Sequence, residues 1–266
     1  MSRTQKVIKY AAITLAIILI AGIISTIVDA VTTLIYAFDG GERSNEYSVY
    51  EFDAEGLGML DVELEASNLT IESGEILSVR TDSSYVKASR SGGTLHITEK
   101  KSFEMTSECE VILTLPEVHF EQVDVEMGAG VLNISSLFTN ELELDLGAGE
   151  TFINTVSVSK TTEINGGAGK ITVTASELGK LSFDMGIGRV AVTASLADGS
   201  EIDCGVGALE LTLSGSADDY AIYADKGIGD FTVGGISVSD GSKLGNGNIR
   251  VDIDSGIGSV SVDFES

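Results

Sequence analysis

The sequence has no tryptophan, a single proline, two histidines and two cysteines among 266 residues. Bases are also scarce: 16 Lys and Arg stand against 41 Asp and Glu, a formal charge of −25. Such a chain cannot assemble the basic surface that neutralises phosphates, which excludes nucleic acid as a partner. Cys109 and Cys204 are far apart with no CxxC or His-spaced pattern between them, so a small disulfide-stapled scaffold is excluded. Both lie in strand-like sequence and read as small core residues. His96 and His119 are isolated from any Ser, Cys or metal-ligand constellation and read as surface or cap residues. Many carboxylates are present but none stands out as an acid and base pair, and no Trp is available to stack on sugar. A carbohydrate-active enzyme is therefore the least favoured reading, and the chain is read as no enzyme, with no catalytic residues and no bound cofactor.

What is abundant is glycine, 31 residues, with 43% hydrophobic residues to build a core. Val, Ile, Leu, Ser and Thr fill the remainder, a β-rich composition with frequent tight corners. At the front, Tyr10 to Val28 carries no charge. As a helix these residues would span roughly 28 Å at about 1.5 Å per residue, enough for one membrane crossing. Arg3, Lys6 and Lys9 precede them with no acid among them, which holds the N-terminus in the cytoplasm and sends the rest outside. A signal peptide cleaved near Val28-Asp29-Ala30 is the alternative. Renewed apolar character from Ala30 to Phe38 favours an uncleaved signal anchor over residues 10–38, after a cytoplasmic tail of residues 1–9.

Beyond residue 120 the chain repeats. Gly-x-Gly recurs at Gly128, Gly147, Gly167, Gly186, Gly205, Gly227 and Gly256, with first intervals of 19, 20, 19, 19 and 22 residues and a last of 29. A fixed period near 20 is the mark of a repeat architecture. Alternation around each copy, as in Leu142-Glu143-Leu144-Asp145-Leu146, means strand. Three residues before each first Gly runs an apolar column, Val125, Leu144, Ile164, Phe183, Ile202, Ala224 and Ile253. The middle residue of each Gly-x-Gly is Ala, Val or Ile and is expected to point inward, while the glycines supply backbone angles that a Cβ would forbid. Helical repeats are disfavoured by a glycine pair and β-branched runs in every unit. The leucine-rich pattern is absent, and GxGxxG nucleotide loops need a following helix where strand sequence stands. The expected fold is all-β: a single-stranded β-solenoid of 19–22-residue coils with Gly-x-Gly corners, preceded by one transmembrane helix. An open antiparallel meander is the runner-up.

Residues 121–266 make the regular coils, and 39–120 form an N-terminal cap with irregular coils, where Ser67-Asn68-Leu69-Thr70-Ile71 and Gly93-Thr94-Leu95-His96-Ile97 look like degenerate units. Leu113-Thr114-Leu115-Pro116, followed by a short strand and serial Gly-Ala-Gly units, resembles the bacterial β-strand-repeat domain called "putative adhesin", of unknown function. The resemblance covers roughly residues 46 to 266. It implies a cell-envelope protein, similar in some members to membrane-anchored components of envelope-stress systems, and supplies no catalytic residues.

The sharpest chemical feature is acidic. Two residues before each first Gly stand Glu126, Asp145, Asn165, Asp184, Asp203, Asp225 and Asp254; two residues earlier stand Asp124, Glu143, Glu163, Ser182, Glu201, Tyr223 and Asp252. Stacked carboxylates about 5 Å apart repel by roughly 0.8 kcal/mol per pair in water before screening. Something should offset that, and Asp145, Asp184, Asp203, Asp225 and Asp254 are the candidate cation ligands, with Ca²⁺ the fitting ion. The bland reading is a solvated face that keeps a long β-surface from sticking. The expected function is a membrane-anchored, extracellular binding or scaffold module, adhesin-like, meeting a cell-wall polymer, an envelope protein or a second copy of itself. An envelope-stress sensor working through a membrane partner is the alternative.

Overall fold

A computed structural model describes residues 47–100 and 109–265. The anchor expected at 10–38 lies outside them, and no helix among the described residues is long and apolar enough to cross a membrane. The alternating segments form β1 (Ser48–Glu51), β2 (Met59–Ser73), β3 (Ser78–Thr81), β4 (Val86–Ser91), β5 (Thr94–Glu99), β6 (Cys109–Leu115) and β7 (His119–Ile134). They continue as β8 (Leu137–Glu177), β9 (Lys180–Ser195), β10 (Ser200–Ser214), β11 (Tyr220–Val233), β12 (Ile236–Ser237), β13 (Ser242–Leu244) and β14 (Ile249–Glu265). All belong to one fourteen-stranded sheet.

The long strands pair in parallel, which excludes the antiparallel meander. β7 meets β8 with Val125 opposite Leu144, β8 meets β9 with Ile164 opposite Phe183, and β9 meets β10 with Phe183 opposite Ile202. Each match is one repeat further along the chain, so equivalent residues stack in register, as in a solenoid. β8 is 41 residues long because it runs through two successive layers without a break. The buried row through Val62, Val125, Leu144, Ile164, Phe183 and Ile202 is at most 2% exposed at every member. Each such side chain contributes about 1.5–3 kcal/mol of burial, so the cohesion of the stack is spread along its length.

Each Gly-x-Gly layer bends at that motif, dividing it into a first arm before the corner and a second arm after it. Here the middle residue departs from expectation: Ala148, Ile187 and Val206 are only half-buried, and Ala129 and Ile228 are exposed. The reason is phase. Met127 and Leu132 both face the interior, 4% and 1% exposed, yet are five residues apart, an odd step that strict alternation cannot make. The corner absorbs the missing beat, and its middle residue turns along the outer ridge.

Two constraints fix the glycines. The second of each pair lies at positive φ, 150° at Gly149 and 147° at Gly207. Both also lie against the preceding layer: a Cβ on Gly149 would stand 1.8 Å from the carbonyl oxygen of Gly130, and one on Gly147 2.0 Å from that of Gly128. β2 bends at Glu65-Ala66-Ser67, with Ala66 opposite Ala129. Its arms pair onward with β5 and β6. The segment around Gly93 is the turn of the β4–β5 hairpin, where Ser91 pairs with Thr94.

Stack order departs from chain order at the far end. β14 pairs with β10 on one side, Ile253 opposite Ile202, and with β11 on the other, Ile253 opposite Ala224. The last strand of the chain is thus the penultimate layer, and β11 is outermost, with β12 and β13 folded back on it.

Candidate functional site

The outward residues of the first arm form two parallel rows. One runs Glu63, Glu126, Asp145, Asn165, Asp184, Asp203, Asp254, Asp225; the other runs Asp61, Asp124, Glu143, Glu163, Ser182, Glu201, Asp252, Tyr223. Thirteen of these sixteen positions are Asp or Glu. The matching sixteen on the second arm, from Asn68 and Thr70 to Asp230 and Thr232, hold three carboxylates, Glu150, Glu210 and Asp230, with Lys170 and Arg189 among them. Both arms face outward; only one is anionic.

Of the residues expected as cation ligands, Asp184, Asp203, Asp254 and Asp225 are consecutive in the row, in that order, and Asp145 is set apart from them by Asn165. They form a line: among the described residues no three His, Cys, Asp or Glu side chains gather as a metal-holding group. Asp61 and Glu63 extend the rows by one layer that the glycine pattern does not mark, although the alternation of Asp61-Val62-Glu63 carries the signal. Asp240, reached by the β12–β13 excursion, also escapes the periodic reading.

Neighbouring charges are partly relieved by amides. Asn165 Nδ2 donates to Asp145 Oδ1 at 2.8 Å and to Glu163 Oε1 at 3.2 Å, and Gln122 Nε2 donates to both oxygens of Asp124 at 3.1 and 3.0 Å. Elsewhere repulsion persists. Partial burial, then the charges of Asp124, Glu163 and Asp145, hold the Glu143 carboxyl above its ordinary range. Burial and the charges of Asp254, Glu201 and Asp184 do the same to Asp203. Asp225 is raised by a hydrogen bond to Asp240 and by that residue's charge. Nitrogen-bearing side chains stand at both ends of the second row. His96 Nδ1 lies 2.8 Å from Asp61 Oδ2; Arg250 Nε and Nη2 each donate to Asp252 at 2.7 Å while its guanidinium sits 4.4 Å from the Tyr223 ring centre.

The corner ladder also ends on carboxylates. Glu99, 8% exposed, accepts through Oε2 from the N–H groups of Glu65 and Ala66 at 2.8 and 3.0 Å and from Ser67 Oγ at 3.0 Å. At the other end Asp240 Oδ1 accepts from the Lys226 N–H at 3.0 Å. Each supplies an acceptor to backbone N–H groups at its corner. The two cysteines are not joined; burial lifts the Cys204 thiol to about 12 and raises Cys109 as well, so neither is primed as a nucleophile.

No protein with a curated description matches the chain. Solved structures with the same general likeness include a "putative cell adhesion protein" of Clostridium sporogenes, 15% identical over 83% of this chain and 99% of that one, with a TM-score of 0.37. A "putative adhesin" of Bacteroides fragilis is 13% identical over 84% and 100%, with a TM-score of 0.44. Another from Parabacteroides merdae is 10% identical over 82% and 95%, with a TM-score of 0.30. Residues 58–266, from just before β2 to the end, match the family described as Toastrack DUF4097, and the chain belongs to that family.

Proposed function

We propose that the chain is a binding and scaffold module of the bacterial cell envelope, held at the membrane by residues 10–38, whose acidic first arm engages positively charged groups on its partner. The one-sidedness of the charge supports this reading. Solubility alone would be served by carboxylates on both exposed arms, whereas crowding thirteen onto one costs stability through like-charge contact. A rigid array with neighbours about 4.8 Å apart across the strands suits a multivalent, salt-sensitive contact better than a single deep site. Stepwise replacement of first-arm carboxylates by amides, with partner capture measured from native membranes, tests it. Graded loss fits a binding face; collapse on changing one or two residues, with folding intact, indicates catalysis instead.

Divalent cations are a second reading, favoured by the contact between the carboxyls of Asp203 and Asp254. A line of ligands would bridge adjacent layers in pairs, leaving the ion open to a partner's oxygens. Calorimetric titration with calcium is the test. Absence of both heat and a melting shift against chelator retires the cation and leaves the cationic partner standing.

A further inference from the structure

β14 lies between two strands, β10 and β11, that both precede it in the chain. β14 pairs through fourteen residues of β10 and thirteen of β11. Its fit to this slot is specific: Phe264 covers Leu213 of β10, where the register of β11 ends at Val233, and the Phe264 ring packs 5.8 Å from that of Tyr220.

β14 is reached through residues 234–248, which include five glycines. Four of them, Gly234, Gly235, Gly241 and Gly245, lie at positive φ between 55° and 77°. This tether is held to β11 by the short pairings of β12 and β13 and by a few backbone bonds, Val238 N to Phe231 O and Gly247 N to Tyr220 O among them. On it lies Ile236, 69% exposed, and on the neighbouring outermost corner Ile228, 49% exposed.

From these observations we infer that β14 is an exchangeable strand and that two copies of this chain associate by each placing residues 249–265 between β10 and β11 of the other. The slot matches this strand in register along both neighbours and at the Tyr220–Phe264 contact, so a second copy is the fitting alternative donor. Exchange preserves the pairings of β14 with β10 and β11, opens part of the tether's short pairing with β11, and adds what the tethers bury where they pass each other, which makes such swapping a low-cost route to a dimer. The exposed Ile236 gives the tethers apolar surface to bury there.

Cysteine placement tests this in the full-length chain. Cys204 and Ser255 are register partners on adjacent strands. Their Cα separation of about 5 Å, set by the spacing of paired strands, admits a disulfide. One copy carries Cys109→Ser and keeps Cys204; a co-expressed copy carries Cys109→Ser, Cys204→Ser and Ser255→Cys. A bond then forms only between copies, and only if β14 of one lies beside β10 of the other. A covalent heterodimer, more abundant at higher expression, is the expected result. A second pair, Asp203→Cys and Asp254→Cys split between copies in the same way, repeats the test on the outer face, with Cys109 and Cys204 both replaced by Ser in each copy. As the control, both members of each pair are placed in one chain; if they link readily there while the split pairs link no two copies, the exchange is overturned, and a monomeric mass by light scattering at every concentration overturns it equally.

Discussion

Gly256 rests on Gly205: a Cβ on Gly256 would come 2.3 Å from the Gly205 carbonyl oxygen, the contact that in chain order would fall to Gly227. Gly227 instead lies on Gly256, where its Cβ would stand 2.0 Å from that residue's oxygen. These contacts place the terminal strand inside the stack and explain the irregular spacing before it. The link from β10 to β11 must step across two layers where every earlier link steps across one. Three residues beyond the usual nineteen supply the extra reach, since an added strand spacing is about 4.8 Å and an extended residue spans about 3.3 Å.

The corner contacts lead to a paired mutational expectation. Gly149→Ala places a methyl group 1.8 Å from the Gly130 carbonyl oxygen at a φ of 150°, and should cost more than about 3 kcal/mol. Gly234→Ala, at a φ of 55° with nothing within 4 Å, should cost about 1 kcal/mol, the strain of the left-handed region alone. Denaturant midpoints of the two variants check the contrast.

Glu99 predicts a different result. Its Oε2 takes three hydrogen bonds at the first corner, while Oε1 is buried without a partner. Glu99→Ala should destabilise by about 2–4 kcal/mol through three orphaned donors, and Glu99→Gln, which keeps one acceptor oxygen, by clearly less. Thermal unfolding followed by circular dichroism distinguishes them.

The acidic arm should make the fold gain stability on mild acidification. Glu143, Asp203 and Asp225 are held above their ordinary values, so the folded chain binds their protons more tightly than the unfolded one. Their favourable contribution is fully present below the unfolded pKa and lost as pH rises through the raised folded values. Asp240 opposes them: the Lys226 N–H holds it low, and its contribution is lost as pH falls through that lowered value. With three raised groups against one, the melting temperature should rise as pH falls from neutrality toward the ordinary carboxylate range, about pH 4. Added salt at neutral pH should raise it too, by screening the same repulsion.

Much of this was legible in the sequence, and the failures have physical causes. Alternation and the glycine period identify parallel in-register layers and the outward acidic rows. The layer of β2 was hidden because a glycine is demanded where another corner's backbone presses close: Gly128 and Gly130 lie against Glu65 and Ser67, whereas the corner of β2 is itself met by the Glu99 carboxylate and carries side chains. Column reading also assumes that neighbours in the chain are neighbours in space. Asp225 and Asp254 therefore read as though Asp225 were next to Asp203, when Asp254 lies between them. Asp240 belongs to no column, and only the fold brings it to Lys226.

The most direct test of the acidic arm is binding of poly-lysine to the full-length chain, measured against salt, beside a variant with Glu143, Asp145, Glu201 and Asp203 changed to their amides. The account predicts binding that weakens steeply with salt in the unmodified chain and a large loss, with a shallower salt slope, in the variant. Equal affinity and equal salt slope in the two folded proteins would contradict it.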